Sequence, residues 1–212
     1  MQRLITSTLV ASLAAVAAAQ TVVAPTGTAA TEGASSTAYA WGRGSSQIRC
    51  QYIIDSTHFT GQGITFPILV NQLRFRANGA ATTAGYTYNT AYVALSTAAV
   101  DYLAPSTTFA LNHGPNLATV YAGPVVVASG AGTTPNNWYV TIPCTPFLYD
   151  PTLGSDLCLE LAHDGTGPTT TSGPAHDCAT TGCLVSRVYN LTNWTSATGS
   201  LQQNVGIVTE FG

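Results

Sequence analysis

The chain has 212 residues, of which only 7% are charged, with six arginines, no lysine and nine acids for a formal net charge of −3. Soluble proteins usually carry about 25% charged residues, so this exterior is covered by Thr, Ser, Asn, Gln, Ala and Gly. Polyphosphate binding needs several cations on one face, and this balance excludes nucleic acid as a partner.

The opening MQRLITSTLVASLAAVAAAQ sets Arg3 before an apolar run that closes on the small residues Ala17 and Ala19. That pattern predicts an export signal over residues 1–19, cut before Gln20. The run is too short and too alanine-rich to span a bilayer, and no later segment is apolar for long enough to do so. The predicted product is secreted or held at a cell surface, with no membrane span.

Residues 20–46 are small and polar, with TVV and TAYAW as edge-strand candidates, and read as an N-terminal extension. Residues 47–212 read as one domain. Short apolar runs recur there between Gly, Pro, Asn and Thr clusters, predicting strands at 47–54, 67–77, 90–96, 118–128, 137–143, 157–163, 183–190 and 204–211. Their two-residue alternation places Leu73 and Phe75, Val93 and Leu95, and Trp138, Val140 and Ile142 inward. Arg74, Arg76, Tyr92, Ala94, Tyr139 and Thr141 fall on opposite faces. Strands with one wet face belong to antiparallel sheets, so the expected fold is all-β, a single antiparallel β-sandwich.

The stretch TPFLYDPTLGSDLCLEL, residues 145–161, concentrates Asp150, Asp156 and Glu160. Asp150 before Pro151 is a turn-initiating pair, and Asp156 stands where its side chain caps loose amides before a strand. LCLEL then sends three leucines inward and Glu160 outward. The set offers too few oxygens for a full calcium site, although calcium is the one ion it would suit, and no other cofactor is expected.

Five cysteines follow in an exported chain, which favours disulfides and leaves one thiol over. CATTGC pairs Cys178 with Cys183 most simply. Cys144 and Cys158 bracket the acidic stretch, but alternation puts them on different faces. Their pairing needs a bulge or kink, for which Pro143 is the candidate, and otherwise Cys50 is the partner.

His163-Asp164 and His176-Asp177 flank a Gly/Thr/Pro-rich loop where they meet as a metal-site candidate, against the simpler reading of two solvated histidines. His58 in DSTHF has Ser56 and Asp55 beside it, yet no GxSxG-type elbow is present, and turn polarity explains the stretch better. His113 in LNHGPN reads as part of a turn. The aromatic and planar-polar residues Arg74, Arg76, Tyr88, Tyr92 and Tyr139, with Gln72, Tyr86, Asn89 and Trp138, are the ligand-binding candidates. Flat rings and amides suit a sugar, although the same rings serve equally as core or cross-strand pairs. Asn190-Leu191-Thr192 and Asn193-Trp194-Thr195 are adjacent glycosylation sequons.

The stretches TAATEGASSTAYAWGRG, SQIRCQYIIDSTHFTGQGITFPILVNQLRFRANG, AYVALSTAAVD, VYAGPVVVAS, TPFLYDPTLGSDLCLEL and VGIVTEFG together resemble a family of exported bacterial proteins that often carry a C-terminal Pro-Glu-Pro sorting tail. The resemblance spans nearly all of residues 20–212 and rests on turn and strand motifs. It implies a jelly-roll-like sandwich and no particular activity. The sequence closes at Gly212 without that tail, so retention by that route is not expected. The resulting expectation is a secreted, non-catalytic structural or adhesive protein that contacts copies of itself or extracellular glycans. A carbohydrate-binding module is the first alternative and a secreted hydrolase the second.

Overall fold

The structure, a computed structural model, describes residues 20–212; the export signal read over residues 1–19 lies outside them. The chain forms β1 (Val22–Ala24), β2 (Ala34–Thr37), β3 (Ile48–Ile54), the one-turn helix α1 (Thr57–Thr60), β4 (Ile68–Arg76), β5 (Tyr86–Thr97) and β6 (Ala118–Val127). It continues with β7 (Trp138–Tyr149), β8 (Leu157–His163), β9 (His176–Ala179), β10 (Val185–Asn190), β11 (Ser200–Gln203), β12 (Gly206–Ile207) and β13 (Thr209–Phe211). The fold is all-β, as the alternation predicts. A ten-stranded antiparallel sheet runs β1-β13-β4-β7-β6-β5-β8-β3-β10-β11, beside a three-stranded sheet β12-β9-β2.

The core explains the curl of the large sheet. In β8, Leu159 stands opposite Tyr52 of β3 and Leu95 of β5, and Leu161 opposite Cys50 and Val93. Cross-strand partners share a face, so these side chains form one apolar layer. The same buried cluster contains Leu73 and Phe75 of β4 and Val140 and Ile142 of β7. The two halves of the sheet therefore bend toward each other, hinged where β6 meets β7 at Val127 opposite Val140. Each enclosed leucine contributes about 1.5–3 kcal/mol against leaving it in water.

Two bulges correct the alternation expected in β7. Phe75 opposes Val140 but Arg76 opposes Trp138, so Tyr139 is the extra residue and its neighbours exchange faces. Tyr139 turns inward, while Trp138 moves out beneath the guanidinium groups of Arg74 and Arg76, each 5.4 Å from its ring. Farther along, Val70 opposes Phe147 and Gln72 opposes Pro143, so Cys144–Pro146 face Asn71 alone. The irregularity falls just after Pro143, but it does not bring Cys144 to Cys158.

Residues 20–46 pack onto their own domain. β1 extends the large sheet along β13, β2 extends the small sheet along β9, and Trp41 is fully buried. TAYAW is not a strand beyond its first residue; the strand is ASST, which ends at Thr37.

The face of β3, β5 and β8 expected to be wet is covered. Segment 98–117 folds over it, with Gln51 Nε2 donating to the Phe109 carbonyl at 3.0 Å and Ser96 Oγ 2.8 Å from His113 Nδ1. Arg49 donates to the Ser196 carbonyl at 2.7 Å and ties residues 190–199 down beside it. Every residue of LCLEL is buried, and Glu160 is 2% exposed, so the expectation that Glu160 points to solvent is corrected.

The expected disulfides are corrected too: Cys50, Cys144, Cys158, Cys178 and Cys183 are all free thiols. Cys50 faces the core with Leu161, whereas Cys158 stands opposite Ile53 and Ser96 on the other face, so the sheet itself separates them. Cys144 on β7 is separated from β8 by β6 and β5. At about 4.8 Å per strand that is about 14 Å along the sheet, beyond disulfide reach. Cys178 and Cys183, the simplest expected pair, are unbonded as well.

Candidate functional site

The structure does not bring Arg74, Arg76, Tyr88, Tyr92 and Tyr139 into one site, although Arg74 and Arg76 meet at the Trp138 ring. Tyr88 and Tyr139 are in the core, where Tyr88 donates to the Trp41 carbonyl at 3.1 Å and Tyr139 Oη lies 2.5 Å from His176 Nδ1. Arg76 is buried against Asp177, with Nε donating to Oδ2 at 2.8 Å. Arg74 is partly exposed on β4, paired with Glu210. Tyr92 lies on β5, where its hydroxyl donates to Glu160 Oε1 at 2.5 Å.

Glu160 is the centre of a dense polar cluster. Its Oε1 accepts from Arg49 Nε at 3.0 Å and from Tyr92; its Oε2 accepts from Arg49 Nη2 at 3.1 Å and Gln51 Nε2 at 2.5 Å. His113 Nε2 is 3.1 Å from Oε2. Asn112 Nδ2 donates to Gln51 Oε1 at 2.9 Å and extends the network into the covering segment. Burial pushes the Glu160 carboxyl upward, but the hydrogen bonds from His113 and Tyr92 and the Arg49 charge outweigh it and hold the pKa below its usual value.

By distance, Ser96, His113 and Glu160 fall in the hydroxyl–imidazole–carboxylate order of a catalytic triad. Access decides against that use in this state. Ser96 has no solvent exposure and its hydroxyl lies under segment 98–117, whereas a nucleophile must touch its substrate. The cluster works instead as a clasp between the covering segment and the sheet. Sequence reasoning missed it, because Ser96, His113 and Glu160 come from two strands and a turn with no motif linking them.

DSTHF is a structural turn. His58 Nδ1 accepts from the Thr26 amide at 3.0 Å and Nε2 lies 2.6 Å from the Cys183 carbonyl, so both ring nitrogens are occupied. Asp55 accepts from the Thr57 amide at 2.7 Å and Ser56 donates its own amide to Asp156 at 3.2 Å. His58 forms one wall of a cavity of about 460 Å³ between residues 25–34, α1 and the 179–184 loop. Its other walls include Thr26, Glu32, Thr57, Thr181 and Cys183, mostly neutral hydrogen-bonding groups.

The two histidines are not solvated loop residues. His163 and His176 have no exposure; the Tyr88 ring stacks on His163 at 3.8 Å, and His163 Nε2 lies 3.0 Å from the Ala40 carbonyl. Burial pushes their pKa values down to about 4 for His163 and about 3 for His176, so both rings are neutral at physiological pH. Their aspartates point elsewhere: Asp164 accepts from the Thr166 amide at 2.9 Å, and Asp177 pairs with Arg76. Among the described residues no three His, Cys, Asp or Glu side chains are grouped to hold a metal ion. Asp150, Asp156 and Glu160 each serve a different part of the chain.

The carboxylates share one fate. All nine accept hydrogen bonds from the chain itself: Glu32 from Gly79; Asp55, Asp101, Asp150 and Asp164 from amides two residues on; Asp156 from Ser56 and Tyr102; and Glu160, Asp177 and Glu210 from arginines. Arg49, Arg74 and Arg76 hold those carboxylates, and Arg187 donates to Thr37 Oγ1 at 2.7 Å and Gln202 Oε1 at 2.5 Å. No family model, no curated protein and no solved structure matches this chain.

Proposed function

We propose that this chain is a secreted, non-catalytic structural or adhesive protein that works at a cell surface or in an extracellular matrix and associates with copies of itself. The observation that carries the reading is the commitment of all nine carboxylates to internal hydrogen bonds. These bonds leave the charges in place, with Asp101 exposed and Asp55, Asp150 and Asp164 partly so, but charges are sparse on an exterior of mostly neutral groups, and there is little repulsion to keep copies apart. In the same reading the curled ten-stranded sheet is a jelly-roll-like sandwich closed at the β6–β7 hinge, and residues 1–19 direct export.

One part of the exterior adds apolar area. Leu69 of β4 and Leu148 of β7 are direct cross-strand partners and both are exposed. Phe66 just before β4 and Leu153 just after β7 are exposed at the same end of this pair of strands. Sedimentation velocity over a wide concentration range tests the reading, with negative-stain imaging of the concentrated sample. The expected result is a concentration-dependent shift to larger species, weakened by Leu69→Asp with Leu148→Asp. A monomer at every concentration overturns it; retardation of that monomer by one polysaccharide would point to a carbohydrate-binding module, and turnover on a substrate panel to a hydrolase.

A further inference from the structure

The cavity beside His58 is walled by hydroxyls whose protons are committed elsewhere. Thr26, Thr31 and Thr57 line it and are exposed to solvent. Thr31 Oγ1 donates to the Gly27 carbonyl at 2.6 Å, and Thr57 Oγ1 donates to Asp55 Oδ1. His58 Nδ1 accepts from the Thr26 amide, so the ring proton sits on Nε2, toward the Cys183 carbonyl. Thr26 Oγ1, 3.0 Å from Nδ1, is therefore a donor as well. A hydroxyl has one proton and two lone pairs, so what these three still offer a ligand is lone pairs. Among the described residues, Glu32 is the one acidic side chain of the wall. Its Oε2 accepts from the Gly79 amide at 2.9 Å, whereas its Oε1 is enclosed without a partner. Arg76, which donates to the Thr28 and Thr31 carbonyls, is matched by Asp177, so the Glu32 charge is left over.

We infer that this cavity is a binding site for a primary alkylammonium cation. Its volume of about 460 Å³ falls in the range of about 300–1,000 Å³ typical of small-molecule sites. An ammonium head brings three N–H donors and a positive charge, the complement of clustered lone pairs beside a carboxylate. Pro25 and Leu184 of the same wall give a hydrocarbon stem an apolar surface. A neutral alcohol satisfies the lone pairs but not the charge, and an anion is repelled by it. Because Oε1 is enclosed, the Glu32 charge acts on the head across the wall, where it is screened less than in water. Burial holds His58 below its ordinary pKa, so the ring adds no opposing charge at neutral pH.

The test titrates n-butylammonium chloride into the isotope-labelled, folded protein at fixed ionic strength and follows the backbone amide resonances. Saturable shifts are expected at Gly27, Thr57 and Gly182, which surround the cavity. Butanol, and tetramethylammonium with charge but no N–H, are expected to bind far more weakly. Glu32→Gln keeps an oxygen for the Gly79 amide and is expected to weaken binding about tenfold. Thr31→Val, which keeps the acid and removes one acceptor, weakens it about threefold. Asp164→Asn removes a charge elsewhere, keeps the side-chain oxygen of its turn and leaves the affinity unchanged. Resonances away from the cavity report whether each variant is folded. Absence of saturable shifts, equal binding of butanol or tetramethylammonium, or undiminished binding in both Glu32→Gln and Thr31→Val overturns the inference. So does a loss in Asp164→Asn as large as in Glu32→Gln.

Discussion

Two buried arginine–carboxylate centres, Arg49–Glu160 and Arg76–Asp177, use the same chemistry to different ends. At Glu160 one carboxylate receives Arg49, Gln51 and Tyr92 with His113 beside it, and the centre joins segment 98–117 to the outer face of the sheet. At Arg76 the cation is the hub. It donates to Asp177 and to the carbonyls of Thr28, Ala29 and Thr31, while Asp177 also accepts from the Gly33 amide at 2.8 Å. That centre ties the N-terminal segment to both sheets. Each is a staple built from charge, and the number of remaining partners decides what its loss costs.

Removing the arginine separates the two most widely. Arg76→Ala strands Asp177, which has no solvent exposure, and frees three carbonyls. A buried charge left unpaired costs about 3–5 kcal/mol, so a large drop in denaturant midpoint is expected, with proteolysis opening first within residues 26–40. Arg49 is partly exposed, and Glu160 keeps Gln51, Tyr92 and His113 when it is gone. Arg49→Ala is therefore expected to cost about 1–2 kcal/mol. Equal losses in the two variants would show that the supporting donors around Glu160 contribute little.

The two carboxylates also titrate with opposite sign. The folded pKa of Glu160 is depressed, so its contribution is full above the unfolded value of about 4.3 and is lost as pH falls through the folded value. Asp177 is raised, because burial outweighs the Gly33 amide and Arg76. It binds its proton more tightly when folded, so stability falls as pH rises from about 3.9 through the folded value. Asp156, pushed up to about 6 chiefly by burial, acts in the same direction as Asp177. His163 and His176 oppose both, because their folded values of about 4 and about 3 cost stability as pH falls below about 6.5. Glu160→Gln is expected to cost about 2 kcal/mol at neutral pH and to lose the acid-limb step of the wild type, while the histidine-driven decline below pH 6.5 stays. Denaturant melts from pH 7 to pH 3 read both effects, and a wild-type acid limb retained in Glu160→Gln would remove Glu160 as its source.

These centres mark how far the sequence can be read. Strands with clean alternation between turn residues were legible: Ile48–Ile54, Ile68–Arg76, Ala118–Val127 and Leu157–His163 fall within a residue or two of the predicted ranges. The strands at His176–Ala179 and Ser200–Gln203 were not, because HDCA and SLQQ carry no apolar alternation and owe their pairing to neighbours. Parity failed at Tyr139 and Trp138, where a bulge exchanged faces without any Gly or Pro at that point to announce it. The Glu160 cluster was illegible for a related reason. Alternation says that Glu160 leaves the core, but not that a loop following another strand will cover it.

The turns supply the smallest effect and the one closest to the sequence. Asp55-Ser56-Thr57, Asp150-Pro151-Thr152, Asp164-Gly165-Thr166, Asn190-Leu191-Thr192 and Asn193-Trp194-Thr195 adopt one geometry. In each, the Asx Oδ1 accepts both the amide and the hydroxyl of the threonine two residues on. The two sequons are thus members of a turn motif that the chain uses throughout. Asn190 is further committed, its Nδ2 donating to the Thr198 carbonyl at 3.1 Å. Asp150→Ala removes both acceptor bonds and the cap of the short 3-10 turn at Pro151–Leu153, an expected loss of about 1 kcal/mol. Thr152→Val removes only the exposed hydroxyl bond, about 0.5 kcal/mol at the low end for such bonds. Melting the two variants side by side measures the difference. If Thr152→Val lost as much as Asp150→Ala, the hydroxyl rather than the backbone amide would be the bond that sets the turn.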